Sequence, residues 1–327
     1  MSGELRVAII GARGIGKFHA NWHTLAGAEV VTFAGTSPET CERTAESLKK
    51  MIGFSGRGYW DVDEMLEKEK SQIVDVCSPP EFHKEHSLKA LNSGAHVLCE
   101  KPFVWDDLKS YEDLISDAEE ITNTAREKGL ILGVCTQYVA AKPCYMEVYR
   151  EIRGEPGGVE SFFMHIESKE RGRDRSPGEI WTDLAAHPLS LLMELVPGGR
   201  IDPKTISVSV SDKEVKTTFD FVSPSGERCE TEIVTAGVEE NPIKRFGING
   251  LVVDNVGKPG KDGVYKSIII YEGREWRFRD FMHTTVAHFD AVVRTGEGRP
   301  LTTGDEAIEN LRAQIEIMRF IQSIKKA

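Results

Sequence analysis

Short apolar runs alternate with amphipathic stretches from the N-terminus to Cys135. Arg6–Ile10, Val30–Ala34, Ile73–Cys77, a run ending at Leu98 and Leu130–Cys135 read as buried strands. Between them Lys17–Leu25, the segment opened by the turn Thr36-Ser37-Pro38-Glu39, and Asp107–Lys128 read as helices. Strands alternating with helices predict a parallel sheet. Beyond Cys135 the period changes: a helix at Met146–Ile152 and a strand at Val159–Glu167 precede the strictly alternating Ile206–Val210 and Thr217–Phe221. Two further strands, Ser267–Tyr271 and Glu275–Phe278, lead to a long helix at Asp305–Ile324. Alternation predicts a sheet with one covered face and one that is exposed or covered by a partner. The expected architecture is therefore α/β, with one parallel-sheet domain over residues 1–136 and a second domain over 137–327.

Composition narrows the function. A chain of 327 residues with 40% hydrophobic content can bury a sizeable core. Its 41 basic against 52 acidic residues give a formal charge of -11, which disfavours nucleic acid and anionic membrane surfaces as partners and points to a small molecule. Cys41, Cys77, Cys99, Cys135, Cys144 and Cys229 lack metal-site spacing and sit mostly in apolar runs, as free thiols in a reducing compartment do. With no signal-peptide core and no apolar run of membrane-spanning length, the expected location is the cytoplasm.

Two local features carry chemistry. The run Val97-Leu98-Cys99-Glu100-Lys101-Pro102-Phe103 ends a buried strand on a charged pair, so Lys101 is presented at the carboxyl end of the sheet, where open α/β folds bind ligands. A solvated ion pair closing the strand is the competing reading. The second feature is Gly11-Ala12-Arg13-Gly14-Ile15-Gly16, set between the first strand and the first helix. Glycines there let backbone approach a pyrophosphate that meets the N–H groups of the helix N-terminus. Arg13 occupies the position of the usual second glycine, so an ordinary glycine turn competes with a dinucleotide site.

An acid at the end of the second strand would bind the ribose 2'-hydroxyl of NAD. Here that strand ends in Gly35-Thr36-Ser37, and Glu39 lies beyond Pro38. The missing carboxylate removes repulsion against a 2'-phosphate, Thr36 and Ser37 offer hydroxyl donors, and Arg13 or Arg43 could supply charge. NADP(H) is favoured, with NAD(H) bound without that carboxylate as the alternative.

Together, GARGIGKFHA (11–20), GYWDVDEML (58–66), DVCSPPEFHKEH (75–86), ALNSGAHVLCEKPF (90–103) and Asp183-Leu-Ala-Ala-His187 resemble the Gfo/Idh/MocA family, the glucose-fructose oxidoreductase and inositol dehydrogenase type. The resemblance implies an N-terminal Rossmann dinucleotide-binding domain plus a C-terminal α/β domain with a large, mostly antiparallel open sheet. It implies homodimers or homotetramers through that sheet, and points to a cis Lys101–Pro102 bond. Ser78, Pro79 and His83 would lie along the nicotinamide, with Glu100 and Lys101 beside it. On this mapping His187 is the general acid/base, Asp183 orients the substrate or the imidazole, and Lys101 stabilises the alkoxide. A helix cap with a satisfied histidine is the structural alternative for Asp183 and His187.

Two departures matter. The family often has an aspartate three residues after the histidine, where Ser190 stands, and Pro188 restricts His187 away from regular helix geometry. Further candidates for substrate contact are Gln137, Tyr138, Trp181 as a stacking platform, and Arg173 in the run Lys169–Arg175, which competes with a solvated loop. His19 and His23 have zinc-like spacing but no third ligand near in sequence, so no metal is expected. The resulting expectation is an NAD(P)-dependent enzyme that interconverts a secondary alcohol and a ketone on a sugar, cyclitol or related molecule. A nucleotide-binding sensor and an NAD-dependent glycoside hydrolase of the same fold are the alternatives.

Overall fold

The computed structural model describes residues 4–261 and 264–324. Two compact units emerge. The first takes the chain through Thr136 and again from Met282 to Ile308; the second takes Gln137–Phe281 and the chain from Glu309 onward. The returning segment corrects the expectation of a single cut near residue 136. Met282, Val286 and Phe289 leave the second unit's sequence because their side chains complete the apolar core beneath Val7, Ile9, Leu98 and Cys135.

In the first unit, strands β1 (Leu5–Ile10), β2 (Ala28–Ala34), β3 (Arg57–Tyr59), β4 (Ile73–Val76), β5 (His96–Glu100) and β6 (Leu132–Cys135) form a parallel sheet in the order β3-β2-β1-β4-β5-β6. Helices α1 (Gly16–Leu25), α2 (Pro38–Ile52), α3 (Val62–Glu69), α4 (His83–Asn92) and α5 (Tyr111–Glu127) make the connections. The start of α2 shows how the sequence sets an element: Ser37 Oγ accepts from Thr40 N–H, Thr40 Oγ1 accepts from Ser37 N–H, and Pro38 supplies the fixed φ of the first turn. Strand order reverses between β1 and β4, so both carboxyl ends open onto the crevice at that point. The glycine turn follows β1, and Lys101 follows β5.

The second unit contains α6 (Ala141–Arg153), β7 (Ser161–Lys169), α7 (Pro177–Leu184), α8 (Ala186–Leu195), β8 (Arg200–Ile201), β9 (Ser207–Val210), β10 (Glu214–Val222), β11 (Arg228–Val238), β12 (Lys244–Ile248), β13 (Leu251–Pro259), β14 (Tyr265–Tyr271) and β15 (Arg274–Arg279). Its sheet runs β15-β14-β13-β12-β7-β11-β10-β8, with β9 added on β10, and every pair but β7/β11 is antiparallel. The expected second fold class is therefore present. Helix α9 (Phe281–Thr295) lies almost wholly in the first unit, and α10 (Gly304–Ile324) contributes its greater part to the second. Among the described residues, no helix is long and apolar enough to cross a membrane.

Candidate active site

The glycine turn is built for close backbone packing at two of its three glycines. Gly11 has φ +90°, and a Cβ there would stand 2.6 Å from the Cys77 carbonyl; a Cβ on Gly16 would stand 2.6 Å from the carbonyl of Gly11. Any side chain at either position would push the turn off β4 and off the N-terminus of α1. Gly14 meets no such limit, and Arg13 and Ile15 are exposed beside it. Ala12 and Arg13 share with Arg43, Thr44 and Ser47 of α2 a cavity of about 180 Å³. Thr36 is exposed at its edge of the sheet, while Ser37 is already committed to capping α2. The turn therefore fits a dinucleotide phosphate, with two guanidinium groups lining the adjoining hollow.

Below the carboxyl ends of β4 and β5 lies a network that sequence reasoning missed. His19 Nδ1 stands 2.7 Å from Asp75 Oδ2, and its Nε2 stands 3.0 Å from Glu100 Oε1. His23 repeats the pattern one helical turn on, with Nε2 3.0 Å from the same Asp75 oxygen and Nδ1 2.8 Å from Asp290 Oδ1. Each ring sits between two carboxylate acceptors, and only an imidazolium donates in both directions. Burial opposes the charge on His19, but Asp75 and Glu100 outweigh it and raise its pKa to about 10; Asp290 and Asp75 do the same for His23, to about 9. For Asp75 burial favours the neutral acid, yet the two imidazolium groups hold it well below the usual carboxylate range.

Cys77 and Cys135 bring sulfur close to His19 and these carboxylates. Ring-to-carboxylate spacings of 2.7–3.0 Å nevertheless place a proton, not an ion, between the partners. Burial also pushes both thiols up, away from the thiolate a metal would need.

This network reassigns Glu100. Its Oε1 accepts from His19 and its Oε2 accepts the Lys101 backbone N–H at 3.1 Å, so each oxygen is engaged within the protein and the side chain ties the strand end to the network beneath it. Lys101 follows at once, half-buried, with a cis bond to Pro102. His83 is likewise corrected. Its Nε2 faces the Ser78 carbonyl at 2.8 Å and its Nδ1 faces the Pro102 carbonyl at 2.9 Å, so the buried ring staples the Ser78 turn to the proline loop. Burial pushes its pKa down. Ser78 Oγ pairs with His86 Nδ1 at 2.9 Å, and Pro79 is exposed.

In the second unit, Asp183 closes α7 and His187 opens α8. The break falls where Pro188 requires it: proline has no N–H to give the Leu184 carbonyl, but it is tolerated in a first helical turn, where N–H groups lack intrahelical partners anyway. Ala185 keeps helical angles between the two helices, so the four-residue spacing survives. Asp183 Oδ2 accepts from Arg175 Nη1 at 2.7 Å, and the His187 ring lies 5.6 Å from the ring of Tyr138.

Two side chains expected to face substrate, Trp181 and Tyr138, are buried instead. Trp181 is fully buried and donates its indole N–H to the Gln314 carbonyl at 3.1 Å, so it is core. Tyr138 is also buried, donates to Asn255 Oδ1 at 3.3 Å, and packs on Phe246, Phe281 and His187. Its part is to wall the histidine. Ser190 accepts from Asn310 Nδ2 at 2.8 Å and is buried. Gln137 is half-buried and Arg173 exposed, its Nε 3.4 Å from the Glu170 carbonyl.

Residues 5–136 match the family described as "Oxidoreductase family, NAD-binding Rossmann fold" (GFO_IDH_MocA). The chain is 36% identical over 134 residues to D-glucoside 3-dehydrogenase of Escherichia coli, a match covering 40% of this chain and only 34% of that protein. It is 24% identical over 312 residues to 1,5-anhydro-D-fructose reductase of Ensifer adhaerens, covering 90% and 89% of the two chains. Among solved structures, scyllo-inositol dehydrogenase from Lactobacillus casei, with NAD(H) and scyllo-inositol, superposes with a TM-score of 0.68 at 14% identity, over 96% of this chain and 95% of that one.

Proposed function

We propose that this chain, whose residues 5–136 match the NAD-binding Rossmann unit of the Gfo/Idh/MocA oxidoreductases, transfers a hydride between a nicotinamide cofactor and a secondary alcohol or ketone of a sugar, cyclitol or related small polar molecule. The observation that carries this reading is the build of the Glu100–Lys101 strand end. Buried charge is concentrated beneath it: His19 holds one Glu100 oxygen, and the other accepts the backbone N–H of the lysine itself.

The bound cofactor would donate or take the hydride. The chain's own residues supply the rest. Gly11, Gly16 and the first N–H groups of α1 would hold the pyrophosphate. Arg13 and Arg43 would meet a 2'-phosphate in the hollow that they line, which favours NADP(H) over NAD(H). Lys101 would lower the energy of the substrate alkoxide, His187 would hold or deliver the hydroxyl proton, and Asp183 would orient the reacting group.

The exposed surface of β14 and β15, with Tyr265 56% accessible and Arg274 stacked on Trp276, is proposed as the contact between copies of the chain in a dimer or tetramer.

Titrating purified protein with NADPH and NADH by cofactor fluorescence tests the central step. Binding of NADPH, tighter than NADH, is the expected result; binding of neither would end the proposal.

A further inference from the structure

The loop between β7 and α7 holds an arginine that the reading above leaves unused. Arg175 is 8% exposed at its side chain and Glu170 is 2% exposed. Four of its contacts are directional. Nε and Nη2 both donate to Glu170 Oε1, at 2.9 and 2.5 Å; Nη2 also donates to Ser168 Oγ at 2.9 Å; Nη1 donates to Asp183 Oδ2 at 2.7 Å. The Arg175 backbone N–H adds a bond of 3.1 Å to Glu170 Oε2. Glu170 itself sits in a notch on β11 that only glycine permits, since a Cβ on Gly237 would lie 2.3 Å from its Oε1. Lys213 flanks the group, 3.7 Å from Glu170 Oε2 and 2.5 Å from Asp174 Oδ1.

A surface ion pair needs none of this. Glu170 alone would neutralise the guanidinium, yet Arg175 spends its remaining arm on Asp183, whose side chain stays 37% exposed while Arg175 is nearly enclosed. The rigid fork of an arginine fixes one carboxylate oxygen in place, which a flexible lysine would not.

We infer that Arg175 is a positioning residue that holds Asp183 as an ionised acceptor for a substrate hydroxyl, leaving proton transfer to His187. This rests on the hydride-transfer reading for its consequence, and on geometry alone for its first half. Within the arginine loop, Arg175 thus serves the protein's own carboxylates, Glu170 and Asp183. Arg175 touches Asp183 directly, Glu170 pairs with Arg175, Lys213 stands between Glu170 and Asp174, and His187 follows Asp183 by one helical turn.

Two measurements on Arg175→Met, Arg175→Lys and the double variant Glu170→Gln/Arg175→Met test it, the double variant avoiding an uncompensated buried glutamate. First, carbon NMR of labelled aspartate follows the Asp183 carboxyl through pH, with or without activity. Loss of a cation at this distance moves its titration upward by at least about 1 pH unit; an unmoved titration overturns the inference. Second, the pH profile of kcat/KM should show its acid limb shifted the same way in Arg175→Met and in the double variant, with substrate KM raised about tenfold or more and the cofactor dissociation constant within about twofold of the parent. Arg175→Lys should recover the charge but not the KM. A uniform drop in kcat at every pH, with KM unchanged, would mark Arg175 as merely structural. Should the parent protein transfer no hydride to any sugar or cyclitol, the function reading fails, and the NMR arm still decides the role of Arg175.

Discussion

Replacing His19 with glutamine should change how stability depends on pH, by an amount that follows from the buried network. The imidazole pKa rises from 6.5 to about 10 on folding, because Asp75 and Glu100 outweigh the burial that opposes its charge. At about 1.36 kcal/mol per tenfold change, that shift corresponds to roughly 5 kcal/mol of stability. A raised pKa contributes fully at pH below 6.5 and is lost as pH climbs towards about 10, with a slope of about 1.4 kcal/mol per pH unit. His23, raised to about 9, adds to the loss over an overlapping window. In His19→Gln the amide can donate to only one of the two carboxylates, leaving the other buried and short of a partner. The variant should be about 3–5 kcal/mol less stable near neutral pH. That gap should close by about 1.4 kcal/mol for each pH unit above neutrality, since the parent loses what the variant never had. Urea unfolding of both proteins across the alkaline range reads this directly. A gap that stays constant with pH would mean that His19 is held neutral, and would refute the imidazolium assignment.

Other substitutions separate cofactor from scaffold. Arg43→Ala should weaken NADPH binding about tenfold, the loss of one charge-assisted contact, and leave NADH binding within about twofold, as measured by fluorescence titration. Ser190→Ala should leave substrate KM unchanged and cost about 1 kcal/mol in urea unfolding, because Asn310 Nδ2 keeps its other bond, to the Ala186 carbonyl at 2.9 Å.

The sheet of the first unit was legible because its strands are short apolar runs separated by helices with evident caps, and Lys101 was legible because a charged pair ends such a run. The buried network was hidden for a different reason. His19 and His23 showed helical spacing, but their partners lie on β4, β5 and α9, and Asp290 stands 267 positions from His23. Asp75 in the middle of Ile73-Val74-Asp75-Val76 was the available signal: a carboxylate in a buried strand requires a buried cation. Trp181 and Tyr138 misled because an aromatic residue near a site serves equally as platform or as wall, and only burial distinguishes them. Glu100 and His83 misled because motif membership does not say whether a polar side chain faces the ligand or ties down the loop that does.

Hydride transfer by Lys101→Met, set beside cofactor binding by the same protein, tests the account most directly. A purified parent protein given NADP+ and a panel of sugars and cyclitols should form NADPH with at least one of them. The variant should bind NADPH with a dissociation constant within about threefold of the parent and transfer hydride at least about a hundredfold more slowly, the loss expected for one electrostatic contact to a developing alkoxide. Undiminished transfer by Lys101→Met would contradict the role given to the strand end on which this reading rests.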